Sequence, residues 1–158
     1  MPHLCLHWHA LPTLKSSPVE LWVLLTATLS PCWMPDKVQH KIRLAGIDAP
    51  EKKQPFGNRS KESLSALTFD KTVNVETDKR DKYGRQVGKV LVNGQDVNLV
   101  QVERGMAWFY RQYQREQSPN DRRLYETAED AAKAKKRGIW RDADPVPPWE
   151  FRHVKHSP

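Results

Sequence analysis

Cysteine is scarce in this chain of 158 residues: there are two, Cys5 and Cys32, and both fall in the first 35 positions. The body after them has none, which excludes a disulfide framework and a thiolate metal site from it. Charge is scarce in the same opening stretch, where Lys15 and Glu20 stand alone apart from His3, His7 and His9. The ordered parts of an intact signal peptide are lacking too: no basic start, compact apolar core and small-residue cleavage site follow one another. No apolar run is long enough to span a bilayer, so a membrane is not expected among the partners. What the chain has in excess is positive charge, +7 with a pI near 9.5. Nearly all of it lies after residue 35, and it favours a polyanionic partner. The length bounds the reading to one small domain with a modest core, expected as a monomer. Residues 1–35 read as an atypical N-terminal segment, 36–152 as the folded domain, and 153–158, with His153 and His156, as a solvated tail.

Within the body, Val38-Gln39-His40-Lys41-Ile42-Arg43-Leu44 alternates apolar with polar, as a half-buried strand does. Asp48 to Asn58 is a loop punctuated by Pro50, Pro55 and Gly57. Asn58 or Ser60 is placed to cap a short helix through Thr68 that buries Leu64 and Leu67. Thr72–Glu76 and Gln86–Val92 read as strands around the loop Asp78–Arg85, and Asn93-Gly94 marks a tight turn. A short helix is expected over Asn98–Glu103, ending at Gly105, and then an aromatic strand over Met106–Tyr110 whose Trp108 and Tyr110 belong to the core. The longest helix should span 118–137. Ser118 caps it, Pro119 suits its first turn, Asp121 completes a capping box, and Leu124, Ala128, Ala131 and Ala132 form its inner face. Pro145-Val146-Pro147-Pro148-Trp149 reads as an extended tail that packs through its tryptophan. Together these elements imply an α+β domain built on a small Greek-key-like barrel.

Chemistry concentrates at two places on the rims of these strands. Arg43 sits in the alternating run, and Asp48 and Glu51 bracket the turn just past its end. Asp81-Lys82-Tyr83-Gly84-Arg85 forms the second place. Carboxylates so placed can hold a hard cation and activate water, and guanidiniums can clamp a phosphate bidentately. Each of these groups taken singly fits an ordinary surface ion pair or a polar hairpin loop. Taken together they are the equipment of a phosphodiesterase.

These residues carry a resemblance. Residues 38–152 resemble the staphylococcal nuclease (thermonuclease) family through Arg43–Glu51, Gln54-Pro55-Phe56-Gly57, Asp81–Arg85, Asp96-Val97-Asn98, Gly105-Met106-Ala107-Trp108 and Gly138-Ile139-Trp140. The resemblance implies a five-stranded OB-fold barrel with about three helices, calcium dependence, DNA or RNA as substrate, and a secreted or periplasmic ancestor. It implies Arg43 and Arg85 as phosphate-clamping arginines, Glu51 as general base, and Asp48 with the main-chain carbonyl of Ala49 as calcium ligands. Lys82 and Tyr83 would contact a terminal phosphate, and Tyr113 would stack near a base.

The sequence departs from the family at one point of consequence. An Asp-Gly-Asp-Thr stretch, whose second aspartate ligates calcium, precedes Arg43 in the family; here that region reads Val23-Leu24-Leu25-Thr26-Ala27-Thr28-Leu29-Ser30-Pro31-Cys32-Trp33-Met34. Codons permitted for Val19 to Pro35, read from the third base of each, yield Asp-Gly-Asp-Thr in register with Thr26 to Leu29. A frameshift near residue 35 therefore accounts for the foreign opening and for damaged first strands. Two functions compete on this reading. One is a calcium-dependent nuclease with weakened metal binding; the other is a non-catalytic nucleic-acid-binding barrel.

Overall fold

The structure, a computed structural model, describes residues 41–154 and the short strand Pro18–Val19. Expectations for the rest of the opening segment, for Val38 to His40 and for the last four residues lie outside the described residues. Seven strands and four α-helices follow in the order β1 (Pro18–Val19), β2 (Ile42–Leu44), β3 (Ile47–Asp48), α1 (Gly57–Thr68), β4 (Val73–Arg80), β5 (Gln86–Val92), β6 (Gln95–Asp96), α2 (Val97–Glu103), β7 (Trp108–Phe109), α3 (Pro119–Ala134) and α4 (Pro148–Val154). Two 3-10 turns, Arg111–Glu116 and Gly138–Arg141, flank α3.

Strand β5 organises the sheet. Its long partner β4 runs antiparallel along one edge, with β1 beyond it. The other edge is shared between β2, parallel at Gln86–Gly88, and β6, antiparallel at Leu91–Val92. Between those two partners the backbone would go unpaired, and the buried Asn98 side chain fills the gap. Its Oδ1 accepts the Val90 N–H at 3.3 Å and its amide donates to the carbonyls of Gly88 and Ala45 at 3.2 and 3.1 Å. The turn joining β5 to β6 has both Asn93 (φ 50°) and Gly94 (φ 78°) in the left-handed region, as a two-residue hairpin requires.

Valines alternate inward along β4 and β5, and Val73, Val75, Val90 and Val92 pack with Ile42, Leu64 of α1 and Val97 into one core. A second core joins Ile47, Val102, Ala107, Phe109, Tyr125 and Ala128, and Leu44 lies against both. Trp108 and Tyr110 are buried, as expected of core residues.

Several expectations need correction. Strand β4 runs on to Arg80, past a register shift between Thr77 and Lys79, so the loop is only Asp81–Arg85. Helix α1 begins earlier than a polar cap would place it, after Phe56, whose backbone is left-handed and supplies no side-chain cap. Ser60 instead lies buried and donates to the Met106 carbonyl at 2.7 Å. Helix α3 stops at Ala134, and its buried face is Tyr125, Ala128, Glu129 and Ala132, with Leu124 45% exposed. The polar members of that face are buried because they are paired. The Tyr125 hydroxyl donates to Asp96 at 2.8 Å, and Glu129 accepts from the Phe109 N–H, Arg111 and Lys133.

The tail is not extended throughout: Pro148 opens α4, which makes four α-helices among the described residues where about three were expected. Proline at the first position loses no intrahelical bond, and Glu150 in the first turn with Arg152 and His153 in the last complement the dipole. Among the described residues the sheets do not close into a barrel. After Leu44 the chain turns at Ala45-Gly46 and pairs β3 with β7 as a separate ribbon instead of continuing along β5.

Candidate functional site

Three local structures converge on one open cleft of about 700 Å³. The first is the β3 ribbon, which fixes the backbone of Asp48 opposite Trp108. The second is the turn after it, which carries Glu51. Its geometry comes from Gln54, which is 6% exposed: Oε1 accepts the Glu51 N–H at 2.7 Å while Nε2 donates to the Val146 carbonyl at 3.1 Å. Gly57 completes the turn. A β-carbon there would stand 2.1 Å from the Glu51 carbonyl oxygen, so only glycine lets α1 start this close beneath the loop. The third is the β4–β5 loop, closed by Asp81, whose Oδ1 accepts the N–H of Tyr83 and of Arg85 at 2.9 and 3.0 Å.

Arg43, Asp48, Ala49, Glu51, Lys82, Tyr83, Arg85 and Tyr113, the eight positions singled out from the sequence, all line this cleft. Arg43 projects from β2 over the ring of Tyr113, 5.0 Å from its centroid, and lies 5.8 Å from that of Tyr110. The aromatic faces hold its guanidinium without occupying its donors, and among the described residues no carboxylate forms an ion pair with it. Arg85 donates through Nε to Asp81 Oδ2 at 2.7 Å and lies over the exposed ring of Tyr83, as does Lys82. Burial pushes the Asp81 carboxyl up, but the bonds from Arg85 and Tyr83 outweigh it and hold the group below the usual carboxylate range. Tyr113, on the 3-10 turn, packs against Tyr110, and Tyr110 in turn stacks on Trp149 of α4 at 5.3 Å. Basic side chains around the cleft outnumber carboxylates seven to three, a balance that attracts phosphate.

The residue that sequence reasoning missed is Arg152. Its Nη2 lies 2.7 Å from Asp48 Oδ2, and its Nη1 lies 2.9 Å from Glu51 Oε1 and 3.3 Å from Asp48 Oδ1. Burial raises the Asp48 carboxyl above its ordinary range, and Arg152 pulls against that shift without cancelling it. The two acids in turn drive the Arg152 guanidinium further toward its charged form. From the sequence this stretch reads as an extended tail, and the partners of Arg152 lie about a hundred residues away in the chain, so nothing local points to it.

The fit of calcium to this site is decided by its oxygens. That ion takes six to eight of them. Asp48, Glu51 and a main-chain carbonyl fall short of that set, and both carboxylates are bound to Arg152. Among the described residues no three acidic, histidine or cysteine side chains cluster as metal ligands. The residues described do not fit a resident calcium ion, and the arrangement offers cationic phosphate contacts around one acid pair.

Known proteins resemble this chain over about three quarters of its length. A family model described as Staphylococcal nuclease homologue matches residues 41–142. The chain is 45% identical over 116 residues to a protein of Escherichia coli described as an uncharacterized endonuclease, covering 73% of this chain and 72% of that one. It is 39% identical over 126 residues to a micrococcal nuclease of Shigella flexneri, covering 74% and 70%. It is 36% identical over 117 residues to a staphylococcal-like nuclease of Arabidopsis thaliana, covering 74% of this chain and 34% of the plant protein.

Proposed function

The chain belongs to the staphylococcal nuclease family, an α+β class built on the OB-fold, and from that premise we propose that it hydrolyses phosphodiester bonds of DNA or RNA in this cleft. The observation that carries the reading is the meeting of Arg43 and Arg85 with Asp48 and Glu51 on one surface, from separate stretches of the chain. A phosphodiester held there would take bidentate bonds from the two guanidiniums. Glu51 accepts the proton of a water as its oxygen attacks phosphorus, the bond from phosphorus to the leaving oxygen breaks, and that oxygen departs as an alcohol with a proton taken from solvent. Charge grows on the phosphoryl oxygens in that transition state, where fixed cations stabilise it more than they stabilise the substrate. Lys82 and Tyr83, at the mouth, serve a neighbouring phosphate, and Tyr113 offers a face for a base.

Calcium dependence belongs to the same proposal in a weakened form. The resemblance to that family implies calcium dependence, whereas the oxygens described here are too few for tight binding. We further propose that the chain acts as a monomer and descends from a secreted or periplasmic enzyme.

Digestion of single-stranded DNA by the full chain, by Arg43→Ala and by Arg85→Ala tests the reading. Each variant should lose about 10²-fold or more in rate; rates equal to the unaltered chain would overturn it. One observation favours the second reading, a non-catalytic nucleic-acid binder: Arg152 engages both acids. That reading requires salt-sensitive DNA binding with no cleavage at any calcium concentration.

A further inference from the structure

The pair Asp48 and Glu51 carries two negative charges at the edge of the core, and the side chain of Asp48 is only 15% exposed. Such a pair does not stay uncompensated, because neighbouring like charges removed from water demand a cation. Here the cation is a side chain. Arg152 bridges both carboxylates with three contacts of 2.7, 2.9 and 3.3 Å. It comes from α4, beyond residues 41–142 that the family model matches. Helix α4 is attached to the body by means other than this ion pair. Trp149 stacks on Tyr110 at an interplanar angle of 13°, and Val146 just before the helix accepts a bond from Gln54. The guanidinium is therefore delivered to the acids by a docked helix.

We propose that Arg152 is a built-in counter-ion that competes with a divalent cation for Asp48 and Glu51. A guanidinium donating to three of the four carboxylate oxygens engages lone pairs that a cation would use, and its positive charge repels a dication, so the two compete for the pair. Cation binding then works against the Arg152 ion pair, which lowers the apparent affinity. The inference concerns occupancy of the acid pair and goes beyond the nuclease reading, since it holds whether or not the chain cleaves nucleic acid.

Calorimetric titration of the full chain with Ca²⁺ alone tests it. Arg152→Gln removes the charge and keeps a planar polar end, and should bind Ca²⁺ at least about tenfold more tightly than the unaltered chain. Arg152→Lys keeps the charge without the fork and should fall between them. Adding Asp48→Asn to Arg152→Gln should abolish the gain. Thermal unfolding of each variant without calcium reports whether it folds, and if Arg152→Gln does not, Arg152→Lys carries the comparison. Ca²⁺ affinity unchanged or weakened in the folded variants would overturn the proposal. So would a gain that survives the loss of Asp48, because the ion would then be binding elsewhere.

Discussion

Asp81 shows how a single carboxylate shapes the phosphate-binding edge of the cleft. It closes the β4–β5 loop on the N–H groups of Tyr83 and Arg85 and aligns the Arg85 guanidinium from below. Its folded-state affinity for protons is lowered, so the stability it contributes is present above the ordinary carboxylate range and is lost as pH falls through the lowered value. Asp81→Asn should therefore lose hydrogen-exchange protection at the amides of Tyr83 and Arg85 at neutral pH. The unaltered chain should lose the same protection only in acid, below the ordinary aspartate range. Equal protection in the two proteins at neutral pH would mean that the carboxylate does not hold the loop. Asp48 has the opposite sign, since burial raises it despite Arg152. Its ionised form costs stability as pH rises through the raised value, the usual condition of a charged group kept for chemistry rather than for folding.

At the scale of elements, positions fixed by local chemistry were legible and those fixed by distant contacts were not. The Ser118 cap, with Pro119 beside it and the Ser118 hydroxyl accepting the Asp121 N–H at 3.0 Å, follows from short-range rules. So does the Asn93-Gly94 hairpin. The inner face of α3 was misplaced because Tyr125 and Glu129 look like surface residues until Asp96, Arg111 and the Phe109 N–H are brought to them by the fold. Arg152 escaped for the same reason. Within the site, the residues at the end of β3, on the turn after it and on the β4–β5 loop were named because turn chemistry marks them, whereas nothing local in α4 points to Asp48. The start of α1 makes a sharper prediction. Gly57→Ala places a methyl against the Glu51 carbonyl, so the turn must shift. We expect a loss of about 1–3 kcal/mol in chemical denaturation, together with slower cleavage as Glu51 moves. A variant as stable as the unaltered chain would show that the loop tolerates the methyl.

At the scale of the whole molecule, two properties separate: the +7 charge that draws in a polyanion and the acid pair that a cation and a water need. Nucleic-acid binding through phosphate contacts should weaken steeply with salt and depend little on residues 1–35. Replacing Thr26-Ala27-Thr28-Leu29 by Asp-Gly-Asp-Thr, within the restored reading frame of Val19 to Pro35, should raise calcium-dependent cleavage far more than DNA affinity. Equal cleavage by both chains at limiting calcium would show that Asp48 and its neighbours suffice, and codons unable to give that stretch would remove the frameshift. The claim on which the functional account turns is that Glu51 serves chemistry rather than binding. The most direct measurement is the rate at which Glu51→Gln cleaves single-stranded DNA at saturating calcium, taken with its DNA affinity at the same salt. The account predicts measurable cleavage by the unaltered chain, a fall of about 10²-fold or more in Glu51→Gln, and an affinity unchanged or slightly tighter as one negative charge leaves the cleft. Cleavage that persists at the original rate in a folded Glu51→Gln chain would contradict it.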